Sequence, residues 1–125
     1  MTKTSDTIVE TIDEKARSVI AVIEFVPMTN KRDALIQALR YVGEHVRLKP
    51  ECLSCGVFEA ADSTKQVLYV EQWESPKGLD AHIRSSLYLR ILQAMELAGE
   101  APKVGFHEIS RTRSLELIEQ LRSRT

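Results

Sequence analysis

Residues Ser18 to Val26, SVIAVIEFV, restrict the fold of this chain more than any other segment. The run is dense in β-branched and aromatic side chains, as a strand requires, and it is apolar on both faces. Alternate side chains of a strand point to opposite sides. Val19, Ala21, Ile23 and Phe25 therefore form one face, and Ile20, Val22 and Val26 form the other, broken only by Glu24. Lys65 to Trp73, KQVLYVEQW, repeats the pattern, with Val67 and Tyr69 on one side and Leu68 and Val70 on the other. Two strands of this kind need cover on both sides of the sheet they build.

The segments between them set the architecture. From Lys31 to about Leu48 the apolar positions Leu35, Leu39, Val42 and Val46, with Ile36 beside them, fall on one helical stripe. Asn30 with Asp33 is the expected helix start, and Lys49-Pro50 the stop. Cys52 to Ala60 reads as a strand, and Asp62-Ser63-Thr64 as the turn of a hairpin with the strand that follows. Ser75-Pro76 is an N-cap followed by proline at the first helical position. Leu79, Ile83, Leu87, Ile91 and Met95 then recur every four residues, with Ser85-Ser86 as a bend. Gly99 and Pro102 end that helical stretch. Val104 to Ile109 reads as a fourth strand, and Ser114 to Arg122 as a last helix with Leu115, Ile118 and Leu121 on one side. The order is βαββαβ, an α+β, ferredoxin-like arrangement with an antiparallel sheet and an extra C-terminal helix.

Three divisions of the chain follow. Residues 1–17 are a polar tail or short amphipathic helix carrying Ile8, Val9 and Ile12, with Thr7 and Glu10 spaced as a capping box. Residues 18–110 are the domain proper, and 111–125 a helical extension. The apolar edge of that extension can dock on its own subunit, swap onto a partner or lid the pocket, and truncation after Arg111 is expected to lower thermal stability.

Two helices cover only one face of a four-stranded sheet. The second apolar face then needs another cover, and the simplest is a second copy of the same sheet, giving a homodimer through the sheet face. The net charge of -1 excludes a nucleic-acid or membrane-surface binder that relies on bulk positive charge. An RNA-binding module of the same strand order needs a basic, glycine-aromatic third strand, and QVLYVEQW is not one. No apolar run approaches the roughly 20 residues that span a bilayer. The first residues hold no apolar signal core, so a cytoplasmic protein with no membrane and no nucleic-acid partner is expected.

Cys52 and Cys55 are the two cysteines. Their spacing raises redox or metal chemistry, but residues three apart on a regular strand face opposite ways. Two buried thiols are the expectation, with no metal site.

The segment Glu71-Gln72-Trp73-Glu74-Ser75-Pro76, running on through Ala81-His82 to Ser85, resembles the antibiotic biosynthesis monooxygenase family. Its members end the third strand in E-x-W-x-S and carry an A-H-x-x-S step on the next helix. Pro50-Glu51-Cys52 resembles the family's P-G-C turn, with Glu51 in place of glycine. The resemblance covers roughly residues 18 to 110. It implies a dimeric α+β barrel and a small pocket in each subunit between sheet and helices. Some members oxygenate reduced polycyclic aromatics or quinols with no metal and no flavin. Others degrade haem, isomerise small metabolites or have no established activity, and fold alone does not choose among them. Haem-degrading members carry an axial histidine where this chain has Leu92 and a catalytic asparagine near Glu24, so the chain departs from them.

The expected function is thus a cofactor-independent monooxygenase of a small aromatic or quinol-type substrate. The rival is a non-catalytic module that binds a small apolar ligand or acts through its dimer. Cofactor-free oxygenation asks for an aromatic wall and one or two titratable groups. Trp73, the sole tryptophan, and His82 match the family's motif positions; Glu71 and Glu24 interrupt apolar strands and are candidate bases. Trp73, Tyr69, Tyr88 and His107 are candidate substrate contacts. Each has a plain alternative in core packing or, for the carboxylates, in ion pairing or hydration.

Overall fold

The computed structural model describes residues 17–62 and 64–123. The amphipathic pattern of residues 1–16 and Ser63 of the predicted turn lie outside them. Four strands, β1 (Val19–Phe25), β2 (Cys52–Glu59), β3 (Val67–Trp73) and β4 (Lys103–Glu108), make one sheet in the order β2-β3-β1-β4. Every neighbouring pair is antiparallel. The helices are α1 (Arg32–Val46), α2 (Pro76–Arg84), α3 (Tyr88–Met95) and α4 (Leu115–Ser123). This is the ferredoxin-like α+β arrangement that the element order predicts.

The core lies between α1–α3 and one face of the sheet. Val19, Ala21, Ile23 and Phe25 of β1 meet Val67, Tyr69 and Trp73 of β3, and the predicted stripe Leu35, Ile36, Leu39, Val42 and Val46 of α1 packs over them. On the other face, Ile20, Val22, Leu68 and Val70 are half-buried. Phe58 on β2 and His107 on β4 extend that open face, each lying flat over a glycine of its own strand. A Cβ on Gly56 would come within 2.9 Å of the Phe58 ring, and one on Gly105 within 2.6 Å of His107.

Several local expectations change. Asn30 does not cap α1: it takes the left-handed conformation at φ 69, and Lys31 precedes the helix with no side-chain cap. Asparagine tolerates that conformation better than most residues, so the chain turns there instead. The stretch from Pro76 to Met95 is two helices, because Ser85 is extended. The break turns one member of the four-residue stripe outward: Ile83 is 37% exposed, whereas Leu79 and Ile91 stay in the core and His82, Tyr88 and Ala94 are buried beside them.

The largest change is in β2. Cys52 pairs with Trp73 and Ser54 with Gln72, so Leu53 is the extra residue of a β-bulge. The alternation shifts by one, Cys55 pairs with Glu71, and both cysteines face the helix side of the sheet. The opposite-face expectation fails for that reason. Even so, no group of three or more metal-ligating side chains is found among the described residues.

At the C-terminus, α4 has no buried residue. Of the placements its apolar edge allows, burial against its own subunit is not seen. Among the described residues, no helix is long and apolar enough to cross a membrane.

Candidate functional site: a buried carboxylate–imidazole cluster

Glu71 takes the third inward position of β3, after Val67 and Tyr69 and before Trp73, and is only 1% exposed. Its cross-strand neighbours on that face are Ala21 of β1 and Cys55 of β2. Both are small, which leaves room for a carboxylate and the rings around it.

Three donors converge on the carboxylate. The Tyr69 hydroxyl donates to Oε2 at 2.6 Å, Trp73 Nε1 donates to Oε1 at 2.9 Å, and His82 Nε2 lies 2.9 Å from Oε2. A carboxylate only accepts, so His82 presents Nε2–H to it. The chain of donors runs one step further, as Cys55 Sγ donates to the Tyr69 oxygen at 3.4 Å. A lone buried carboxylate would be costly; three hydrogen bonds, one of them from an imidazole, offset that cost.

His82 is held from two sides. Its ring stacks on Trp73 with centroids 4.8 Å apart and meets the edge of Tyr88 at 5.2 Å. Its helix is fixed at both ends by serines. Ser75 Oγ accepts from the Gly78 amide at 3.2 Å and donates to Glu51 Oε1 at 2.5 Å. Ser85 Oγ donates to the His82 carbonyl at 2.6 Å and accepts from Lys49 Nζ at 3.0 Å. One polar atom is left over: His82 Nδ1 is buried and has no hydrogen-bond partner among the described residues. In the Nε2–H tautomer this nitrogen carries a lone pair.

The electrostatics follow from burial beside a carboxylate. Burial first, and then the Glu71 charge, push the Tyr69 hydroxyl far above its ordinary range. The same two causes raise Tyr88. Burial pushes the Cys55 thiol up to about 11 and raises Cys52 as well. Thiols held in the protonated form are poor nucleophiles.

A groove of about 350 Å³ runs beside the cluster, lined by Lys49, Pro50, Glu51, Trp73, Gly78, Ala81 and His82. It lies between the turn that precedes β2 and the first turns of α2. Of the residues singled out in the sequence, Glu71, His82, Trp73, Tyr69 and Tyr88 come together here. Glu24 and His107 do not. Glu24 is exposed on the open face, paired with Leu68 and Lys103, and His107 lies on that same face opposite Ile20. Leu92 is 47% exposed on α3.

Sequence reading missed Cys55, which the bulge brings into the cluster, and the frame of Lys49, Glu51, Ser75 and Ser85. Each left a local signal, Lys49 in a helix stop, Glu51 in the turn motif, Ser75 as an N-cap and Ser85 as a bend, but none of these signals carried the contacts between them.

Comparison with known proteins agrees with this geometry. The sequence profile described as antibiotic biosynthesis monooxygenase matches residues 18–94. Rv0793 of Mycobacterium tuberculosis superposes with a TM-score of 0.66 at 25% identity, over 78% of this chain and 98% of that one. A conserved protein of Methanosarcina mazei Go1 superposes at 0.68 with 17% identity, over 75% of this chain and 94% of its own. Protein SO0527 of Shewanella oneidensis does so at 0.68 with 21% identity, over 75% and 92%. No curated protein sequence matches the chain. The strand-end Glu71–Trp73 pair, the His82–Ser85 helix step, the shared fold and the profile match together make this chain a member of the antibiotic biosynthesis monooxygenase family.

Proposed function

We propose that this protein is a cofactor-independent monooxygenase of a small aromatic or quinol-type substrate, working as a homodimer through the open sheet face. The observation that carries the reading is the unpartnered His82 Nδ1, buried behind a groove and backed at Nε2 by Glu71. An imidazole set this way has its Nε2–H fixed by the carboxylate and its Nδ1 lone pair left over, the arrangement a general base needs. Trp73 and Tyr88 supply aromatic surface beside it.

The chemistry balances without an external reductant. Nδ1 takes a proton from a phenol or an activated CH₂ of the substrate. The resulting anion gives one electron to O₂, and the radical and superoxide combine into a C–O bond. The peroxide takes a proton back and loses water. The net change is CH₂ plus O₂ to C=O plus H₂O, with all four electrons drawn from the substrate. A buried, low-dielectric site favours each charge transfer that a fixed dipole or partner stabilises.

Support for the dimer lies in the open face. Ile20, Val22, Leu68 and Val70 would stay wet in a monomer, and the rings of Phe58 and His107 are laid flat over Gly56 and Gly105. A second sheet packs on such low relief.

One observation favours the rival reading. Glu71 is satisfied from within, and neither Glu71 nor His82 is more than 1% exposed. A cluster of that kind also serves as a pin between β3 and α2 in a non-catalytic ligand-binding module. Oxygen uptake decides between the two, with anthrone-like phenols and reduced naphthoquinols offered to metal-free, flavin-free protein. His82→Gln keeps an N–H in reach of Glu71 and removes the basic nitrogen. Uptake by the parent chain that is lost in a folded His82→Gln supports the oxygenase; uptake unchanged in the variant overturns it. No uptake with any of these substrates shifts the assignment to the binding module.

A further inference from the structure

Among the described residues, two bare apolar surfaces lie near the C-terminal end of the fold, outside the open sheet face. One is the edge of α4, where Leu115, Ile118 and Leu121 are 64%, 55% and 59% exposed. The other is the outer flank of β4. Val104 and Phe106 pair with the buried Ile23 and Ala21, so they point to the helix-bearing side of the sheet, yet each is 46% exposed. The helices leave them uncovered because α1 packs on β2 and α2 on β3, away from the β4 edge.

Area bears on what covers these surfaces. Four strands about 4.8 Å apart and seven residues long present a face of roughly 450 Å². Two such faces together give a flat footprint of roughly 900 Å², which side-chain relief brings toward the lower end of the accessible area of a standard stable interface. A further contact outside the sheets would add to it. Residues 109–114 between β4 and α4 span up to ~20 Å when extended, enough to cross the ~10 Å between packed sheets and turn around the neighbouring edge.

We propose that α4 is an exchanged arm: it leaves its own subunit after β4 and lays Leu115, Ile118 and Leu121 on the Val104–Phe106 flank of a second copy of the chain, which returns the same contact. This inference rests on the homodimer proposed above. Exchange of one element between identical subunits is a low-cost way to enlarge a two-fold interface.

The test co-expresses two full-length chains with different tags, one carrying Phe106→Cys and the other Ile118→Cys. Light scattering on the parent chain is run beside it. After oxidation, the expected result is a dimeric parent chain and a disulfide-linked 106–118 peptide joining the two tags. Leu115→Asp with Ile118→Asp is expected to weaken dimerisation by about tenfold or more. A dimer that gives the link only when both cysteines sit in one chain overturns the exchange in favour of a helix folded back on its own subunit. A dimer with no link in either arrangement overturns it too. A monomeric parent chain overturns the dimer and the arm together.

Discussion

Trp73 and His82 stack with their ring centroids 4.8 Å apart while both hydrogen-bond the same buried carboxylate, Trp73 through Oε1 and His82 through Oε2 of Glu71. Each ring therefore serves two purposes, as a packing surface and as a donor. Removing His82 leaves a buried charge short of one of its three donors. His82→Ala is expected to cost about 3–5 kcal/mol of unfolding free energy. Trp73→Phe keeps the ring but deletes one donor, and is expected to cost about 1–3 kcal/mol. Urea denaturation of the three proteins measures both.

Alkali should unfold the protein from this same cluster. The Cys55 thiol titrates at about 11 against an ordinary 9.0, and Tyr69 is raised as well. Both groups bind their protons more tightly folded than unfolded. The stability they add is complete below the unfolded values and is lost as pH rises through the folded ones. The thermal midpoint is expected to fall between pH 9 and about 11, and Cys55→Ser to flatten that fall. A scan of melting temperature against pH, in parent and variant, reads it.

Thiol chemistry separates the two cysteines. Cys52 is half-buried and Cys55 is buried against Tyr69. Alkylation at pH 8 is expected to label Cys52 first and to reach Cys55 only through unfolding. Mass spectrometry of the labelled peptides gives the order; equal rates would mean that β2 opens readily in the native state.

The open face offers a substitution that spares the fold. Val70 lies at its centre, paired with Val22 and Gly56. Val70→Asp is expected to give a folded monomer, with its circular dichroism spectrum kept and its mass by light scattering halved. A variant that remains dimeric would place the interface elsewhere.

Truncation after Arg111 now carries a sharper expectation. Since no residue of α4 is fully buried on its own subunit, its removal should change the unfolding free energy of the isolated subunit by no more than about 0.5 kcal/mol. The melting temperature should fall only at concentrations where the dimer forms. A dilution series of melting curves distinguishes the two regimes.

The strands and most of the core were legible because their signals are local. Period-two alternation placed Val19, Ala21, Ile23 and Phe25 inward, and helical spacing placed Leu35, Leu39, Val42 and Val46 on the α1 stripe. The motif positions Glu71, Trp73 and His82 were legible as a group, and so was the capping role of Ser75. What escaped depended on tertiary context. Whether Glu71 faces a void or three donors depends on how α2 folds back over β3 to bring His82 to the carboxylate, which spacing along the chain does not state. Asn30 had two local options, cap or left-handed turn, and the loop chose the second. The α4 stripe was read correctly as amphipathic, but periodicity does not say on which subunit an apolar edge is buried.

Leu53 changes the parity of β2. Before it the even-numbered side chain faces inward, at Cys52; after it the odd-numbered ones do, at Cys55 and Val57. Losing one residue from a strand ordinarily turns every following side chain to the wrong side. Here the loss of Leu53 would restore strict alternation and leave each remaining side chain on the side it already occupies. The bulge thus works as an expansion joint, at which this strand can gain or lose a residue without refacing its core.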